Sequence, residues 1–188
     1  YMVSVGTDGP FTGAISYGGM PHFFKENHIH KIYGNYPGNY QTQSTACRGV
    51  QKGSWRSLAI VNEVLYYKSR QDVCAYDGSL PVSISAQLGG EVGYSNAVAG
   101  AFGGKYYIAM NGENQPYLFV YDTVRGVWHR ETPVEPVAFA RMDDSLMVLH
   151  GNLIQDINGV LGEPAEDRVE WSATSGLIGY EIIDRQYV

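Results

Sequence analysis

Residues 105–131 read KYYIAMNGENQPYLFVYDTVRGVWHRE, and this stretch decides the fold class. Two runs of aromatic and aliphatic residues flank a polar cluster at 111–116, and a third run follows the turn at Arg125 and Gly126. Aromatic and β-branched residues fit the pleated surface of a sheet, whereas Gly, Asn and Pro form tight turns. The stretch therefore predicts consecutive antiparallel strands, a β-meander.

The same pattern recurs about every forty residues, a period typical of repeat proteins. The aromatic or aliphatic runs are HFFKE from His22, LYYKS from Leu65, KYYIAM from Lys105 and LMVLH from Leu146. Each follows a strand of small or aliphatic residues and precedes a third strand that ends in a turn. Meanders repeated at this spacing are typical of a β-propeller, because a single blade cannot bury both faces of its own sheet.

We therefore predict an all-β protein without helices: a β-propeller-like array of about four meander blades. The blades are expected near residues 11–50, 55–90, 95–133 and 134–162. Residues 163–188 comprise a polar linker and a final strand-like run, and we expect them either to close the ring or to begin a further domain. A four-bladed ring that does not close would leave sheet edges exposed. We accordingly expect the chain to be part of a larger propeller in a longer polypeptide.

Composition narrows the class of partner. The net charge of −6 argues against free nucleic acid as a ligand, because surfaces that follow phosphates collect Lys and Arg. No apolar run reaches the roughly 18 residues that a membrane span requires, so we expect no membrane contact. Five basic residues lie between the first two repeats, and we interpret them as a solvated strand face and loop: Lys25, Lys31, Arg48, Lys52 and Arg56.

The first repeat offers the one candidate metal site. His28 and His30 alternate with Ile29, so a strand places both imidazoles on one face at chelating distance. The alternative is a hairpin turn at 26–27 with solvent-facing histidines on either side. No other cofactor is predicted.

The two cysteines, Cys47 and Cys74, belong to no CxxC pair and are interpreted as small buried hydrophobic residues. A bridge between them, joining neighbouring repeats, is the alternative; sequence alone does not place their Cα atoms.

The sequence shows no catalytic constellation. GxSxG, HExxH and a glycine-rich loop leading into a helix are all missing from the 188 residues. The aspartates mostly occupy turn positions, where a carboxylate caps backbone N–H groups. We therefore predict that the protein is not an enzyme. Four tyrosines are predicted to lie in loops beside Gly, Pro and Asn, which is the composition of a contact surface, with loop packing as the alternative: Tyr36, Tyr40, Tyr94 and Tyr117.

Residues 118–131, LFVYDTVRGVWHRE, resemble a kelch-type blade. The resemblance implies that Tyr121 and Trp128 are core residues packing one blade against the next. The glycine pairs at 18–19 and 103–104 lie at the first turn of their repeats, a departure from the usual kelch position. The predicted structural core comprises Phe24, Tyr67, Tyr107, Tyr121 and Trp128.

A second resemblance covers nearly the whole chain. Residues 23–85, from FFKENHIHKIYG to SLPVSIS, with VGTDGPFTGAISYGG before them and WSATSGLIGYEIIDRQYV at the end, resemble structural proteins of phages and prophages of Gram-positive gut bacteria. The resemblance implies a virion component at the tail or head–tail junction, similar in kind to the propeller-bearing packaged-DNA stabilisation proteins of short-tailed phages. Such a protein is made in the bacterial cytoplasm and contacts other virion proteins or itself.

Two alternatives to a phage structural protein stay open at this point. One is a carbohydrate-binding or glycan-cleaving propeller. The other is a kelch-type protein-interaction module.

Overall fold

The computed structural model describes residues 5–88, 93–131 and 135–157. Within them the chain forms strands joined by turns, with three 3₁₀ turns of three residues each as the helical content. The strands are β1 (Gly13–Tyr17), β2 (Met20–Lys25), β3 (His28–Tyr33), β4 (Gln41–Ala46), β5 (Ala59–Val61), β6 (Val64–Lys68), β7 (Val73–Tyr76), β8 (Val82–Ser83), β9 (Ser95–Phe102), β10 (Lys105–Asn111), β11 (Pro116–Asp122), β12 (Val127–Glu131), β13 (Pro136–Met142), β14 (Ser145–His150) and β15 (Leu153–Asp156). The predicted all-β class is confirmed.

The strands form four antiparallel sheets, each a meander of neighbours in sequence. Sheet 1 contains β1 to β4, sheet 2 contains β5 to β8, sheet 3 contains β9 to β12, and the described part of sheet 4 contains β13 to β15. The register is regular along most ladders: Tyr107 of β10 pairs with Gly100 on one side and Val120 on the other. One shift between Ala109 and Asn111 interrupts the β9–β10 ladder.

A two-residue turn joins the first two strands of every sheet. In sheets 1 and 3 the turn is Gly-Gly, with φ of 57° and 74° at Gly18 and Gly19. Positive φ at both positions suits the twist of a hairpin and costs glycine nothing. In sheet 2 the turn is Asn62 and Glu63, with φ of 48° and 66°. Glu63 is strained there, because its Cβ crowds the backbone in the left-handed region.

The sheets pack face to face in chain order, and a hydrophobic cluster fills each junction. Between sheets 1 and 2 lie Phe24, Ile29, Leu65, Tyr67, Cys74 and Tyr76. Between sheets 2 and 3 lie Val61, Tyr66, Val73, Tyr106, Ile108 and Phe119. Between sheets 3 and 4 lie Tyr107, Val120 and Leu146, with Phe139 beside them. Sheets 2 and 3 therefore bury both faces, whereas sheets 1 and 4 each bury one against a described neighbour.

Three of the predicted core residues, Phe24, Tyr67 and Tyr107, are buried in these junctions. Tyr121 and Trp128 are half-buried partners across β11 and β12, with ring centroids 4.9 Å apart. The Trp128 indole N–H donates to the carbonyl of Ile84, 2.7 Å away, beyond β8 of sheet 2. The pair thus packs sheet 3 against sheet 2.

The first strands of the sheets approach one another closely. A Cβ on Gly100 of β9 would lie 2.7 Å from Cβ of Phe139 in β13, and one on Gly13 of β1 would lie 3.0 Å from Leu58. Residues from these strands line a cavity of about 370 Å³. Both cysteines are free thiols: Cys74 is buried between sheets 1 and 2, and Cys47 packs half-buried against the same cluster.

Candidate functional site

Two of the predicted contact tyrosines are exposed on the loop between β3 and β4. Tyr36 is 60% exposed and Tyr40 is 45% exposed, on either side of the 3₁₀ turn Pro37–Asn39. The Asn39 carboxamide oxygen accepts hydrogen bonds from the backbone N–H groups of Asn35 and Tyr36, 3.0 and 3.1 Å away. Gly34 (φ 122°) is required beside it, since a Cβ would lie 2.7 Å from the Asn39 carbonyl oxygen. The loop therefore presents its aromatic rings from an ordered turn.

The other two contact tyrosines pack against the protein itself. Tyr94 and Tyr117 are half-buried, with ring centroids 5.9 Å apart in an edge-to-face arrangement, and both contact Phe119. Tyr117 lies inside β11, so its predicted loop position is wrong. Burial raises the pKa of Tyr94. Tyr94 and Tyr117 therefore fit the alternative of packing against the protein rather than forming a contact surface. The structure places them on sheet 3 rather than beside Tyr36 and Tyr40.

Sheet 1 has one face that no described sheet covers. We call it the open face; its lining side chains include Ala14, Phe23, His30, Ile32 and Thr42. These side chains surround a cavity of about 430 Å³. Phe11 lies against the same face: its ring centroid is 5.9 Å from Phe23, yet the side chain is 54% exposed. Sequence patterning predicted the alternation of β3 but gave no sign that no described sheet covers this face.

The candidate metal pair lies on the open face. The rings of His28 and His30 stack with centroids 6.0 Å apart, which agrees with their predicted common face. Both nitrogens of His30 are engaged: Nδ1 is 2.7 Å from Ser44 Oγ, and Nε2 is 3.1 Å from Thr7 Oγ1. Burial lowers the pKa of His30, and the neighbouring Lys25 and His28 lower it further.

A metal ion at His30 would have to displace one of these two hydrogen bonds. Across the described ranges 5–88, 93–131 and 135–157, no group of three His, Cys, Asp or Glu side chains is placed to hold a metal ion. Zinc sites in proteins use three or four protein ligands. The His28 and His30 site therefore stays a prediction that the geometry does not favour.

The third histidine of the repeat, His22, faces the junction between sheets 1 and 2. Its ring contacts Tyr17 and Tyr76 edge-on, and its Nδ1 lies 2.9 Å from the Met20 carbonyl oxygen. Since a carbonyl oxygen only accepts, Nδ1 is the donor in this hydrogen bond. Burial lowers the pKa of His22. Its Nε2 is buried and has no hydrogen-bond partner among the described residues.

The basic residues between the first two repeats make separate local contacts. Lys25 donates to the Thr7 carbonyl, and Lys31 donates to the Gly78 carbonyl. Arg48 pairs with Asp72 at 3.0 Å, and Arg56 donates to the Val137 carbonyl, 3.1 Å away. Contacts of this kind join sheets and loops within the chain, and they give these four of the five basic residues a structural role.

A polar cavity of about 570 Å³ lies between sheets 1 and 2. Its lining includes Tyr17, His22, Lys31, Glu63 and Asp77. The Tyr17 hydroxyl donates to the Glu63 carbonyl, 2.7 Å away, so this strained turn forms part of the wall. The cavity combines an aromatic ring, charges of both signs and a histidine, a set that sequence spacing did not predict because it comes from two repeats.

Two aspartates accept hydrogen bonds from backbone N–H groups at turns, as their positions in the sequence predicted. Asp122 accepts hydrogen bonds from the N–H groups of Val124 and Arg125, both at 3.0 Å, and from the Arg125 guanidinium at 2.8 Å. The backbone and side-chain hydrogen bonds from Arg125 lower the pKa of Asp122. Asp77 accepts from the N–H of Ser79. These acids are engaged in local structure.

No protein-family model matches the chain, and comparison with curated proteins finds no match. No helix within the described residues is long and apolar enough to cross a membrane.

Proposed function

We propose that the four sheets are blades of a β-propeller-like array, and that the chain is a non-enzymatic virion structural protein of a phage. Its place is the tail or the head–tail junction, and it acts through protein–protein contacts. The observation that carries the interaction role is the open face of sheet 1, where Phe11, Phe23 and Ile32 border an apolar cavity. Apolar surface of this kind marks interaction sites in soluble proteins.

The packing of the first strands supports the propeller arrangement. The cavity of about 370 Å³ receives Ile15 from β1, Ala99 from β9 and Phe139 from β13, and Leu58 reaches it just before β5. In a propeller the first strand of every blade lies nearest the central axis, where space is smallest. Glycine at positions 13 and 100 fits that crowding, because a Cβ at either position would press on the neighbouring blade.

The use of the carboxylates supports a non-enzymatic role. Glycoside hydrolysis needs two carboxyl groups on either side of one bond, free to exchange protons with the substrate. Asp122 and Asp77 instead accept hydrogen bonds from backbone N–H groups of their own turns. Asp72 forms an ion pair with Arg48. The exposed rings of Tyr36 and Tyr40 suit contact with a partner, since tyrosine offers a large area at low entropic cost.

The virion assignment rests on the resemblance of residues 23–85 and their flanks to phage structural proteins, and on a surface built for contact. The expected partners are other virion proteins and the chain itself, with assembly into particles after synthesis in the bacterial cytoplasm. The test is mass spectrometry and immunogold labelling of phage particles purified from the bacterium that carries the gene. Recovery of the chain with intact particles supports the proposal; its presence in the lysate but absence from washed particles overturns it.

A second candidate, glycan binding, is favoured by the polar cavity between sheets 1 and 2. Sugar sites in proteins combine an aromatic surface with a few polar side chains in a concave pocket. Here Tyr17, Lys31 and Asp77 supply those groups. A glycan array followed by titration of any hit against the Asp77→Asn variant tests it: binding that the variant weakens supports this function, and an empty array removes it.

The kelch-type interaction module is the third alternative. The packing of Tyr121 and Trp128 against sheet 2 supports a kelch-like blade, but these residues identify no partner. The same particle experiment separates this alternative from the virion role.

A further inference from the structure

The four sheets share one orientation, which can be read from the second strand of each. Counting from the first turn, the second and fourth residues point toward the preceding sheet: Leu65 and Tyr67 of sheet 2 face sheet 1, and Tyr106 and Ile108 of sheet 3 face sheet 2. Leu146 of sheet 4 faces sheet 3 by the same count. The equivalent positions in sheet 1 are Pro21 and Phe23, so the open face is the kind of face that a preceding sheet covers elsewhere in the chain.

The opposite end of the stack has the complementary kind of face. The third residue of the second strand faces the following sheet, as Tyr66 and Tyr107 do. In sheet 4 the equivalent residue is Met147, and Leu149 shares its face. Leu149 pairs directly with Ile154 of β15, which is 67% exposed. We call this the outer face of sheet 4.

The open face suits an apolar partner. Two of its polar side chains are bonded within the chain, since Lys25 donates to Thr7 and His30 contacts Thr7 and Ser44. The Thr42 hydroxyl is buried and has no hydrogen-bond partner among the described residues. The Phe11 ring extends the apolar surface beyond the sheet. The outer face of sheet 4 carries the apolar side chains of Met147, Leu149 and Ile154. Asp156 lies opposite Met147 on the same face, where its carboxylate accepts a hydrogen bond from the Ser145 hydroxyl, 2.6 Å away.

We propose that the open face of sheet 1 binds the outer face of sheet 4 of a second copy of this chain, so that copies associate head to tail. This contact repeats the junction that already joins sheets 1 to 2, 2 to 3 and 3 to 4. This contact gives the proposed virion role a partner and a surface. The biological purpose of the association rests on that role, whereas the contact itself does not. A head-to-tail contact forms a ring when its rotation closes and a filament when it does not.

The experiment uses two variants, each of which blocks one end. Phe11→Asp places a charge on the open face, and Ile154→Asp places one on the outer face of sheet 4; both side chains are more than half exposed, so the fold tolerates the change. Leu153→Asp is the matched control, since Leu153 is 60% exposed on the same strand but points to the opposite side. Circular dichroism verifies folding, and light scattering gives the mass.

The wild-type chain and Leu153→Asp are expected to have masses of at least twice 20.7 kDa, whereas each blocked variant alone has a mass of 20.7 kDa. An equal mixture of the two blocked variants retains one intact pair of faces. It is therefore expected to form a one-to-one complex.

A monomeric wild-type chain overturns the proposal, and it indicates that residues of the same chain or a different protein cover the open face. A mixture that stays monomeric, with an associating wild type, overturns head-to-tail pairing. These outcomes are independent of whether the chain is found in particles, so a failed virion assignment and a failed pairing are distinguishable.

Discussion

Replacing Gly100 by alanine tests the close packing of the first strands. Gly100 lies in β9 with its backbone outside the left-handed region, so alanine can adopt its conformation. The new Cβ would lie 2.7 Å from Cβ and 2.9 Å from Cγ of Phe139, and 3.1 Å from Cδ1 of Leu146. The Phe139 contacts are shorter than van der Waals contact allows, and Phe139 is attached to β13, so the two sheets must separate or strain.

Forcing one extra carbon into a packed core costs about 1–3 kcal/mol. Loss of the backbone freedom of glycine in the unfolded chain offsets about 0.4–1 kcal/mol of this. We therefore expect Gly100→Ala to lower the free energy of unfolding by about 1–2 kcal/mol. In a chain of this length that corresponds to a fall of roughly 2–8 °C in the melting temperature.

The assay is urea unfolding followed by circular dichroism, with Gly93→Ala as the control. A Cβ on Gly93 meets no atom within 4 Å, so this variant is expected to be as stable as wild type or slightly more so. Phe139→Gly removes both the Cβ and the Cγ that the new methyl group would meet, so in that background the cost of Gly100→Ala should shrink by about 1 kcal/mol. Equal stability of Gly100→Ala and wild type, or no coupling to position 139, would refute the close approach of β9 and β13.

Three further predictions address the turns, the loop at Gly49 and the buried histidines. Glu63→Gly relieves the left-handed strain at φ 66° and should raise stability by about 0.5–1 kcal/mol in urea unfolding; a loss of stability contradicts the strained turn. Gly49→Ala places a Cβ 1.8 Å from the Lys25 carbonyl oxygen, and we expect a loss of about 3 kcal/mol or more, seen as a low yield of folded protein. Burial lowers the pKa of His22 and His30 below 6.5, so the unfolded chain binds more protons as the pH falls through 6.5. The melting temperature should therefore drop between pH 7.5 and pH 5.5, and less so in His22→Phe; a slope unchanged by this substitution removes His22 from the explanation.

Alternation along single strands could be predicted from the sequence, as β3 illustrates. Ile29 and Lys31 face sheet 2, while His30 and Ile32 face the other way, as the period of two requires. Strand β4 (Gln41–Ala46) could not be predicted from the sequence, because QTQSTA is polar on both faces and shows no alternation of hydrophobic and polar residues. The two-residue strand β8 is too short to carry any pattern.

The candidate sites depend on contacts between distant residues, which sequence spacing does not encode. His28 and His30 share a face as predicted, but the partners that occupy His30 are Thr7 and Ser44, 23 and 14 residues away. The polar residues and Pro116 before Tyr117 favour a loop in the sequence, although proline at the first residue of a strand is compatible with pairing. The polar cavity needed Lys31 and Asp77 from neighbouring repeats to meet across a sheet junction.

The sequence likewise does not reveal which faces of sheets 1 and 4 no described sheet covers. A repeat array stays soluble alone when its terminal repeats carry a polar outer face. Sheet 1 instead carries Phe23 and Ile32 on its open face, and sheet 4 carries the exposed Ile154 on its outer face. Since a sequence pattern treats a covered and an uncovered sheet alike, the faces that no described sheet covers become visible only once the junctions are known. Their chemistry is that of an internal junction, and this is why the partner best suited to either end is another sheet of the same kind.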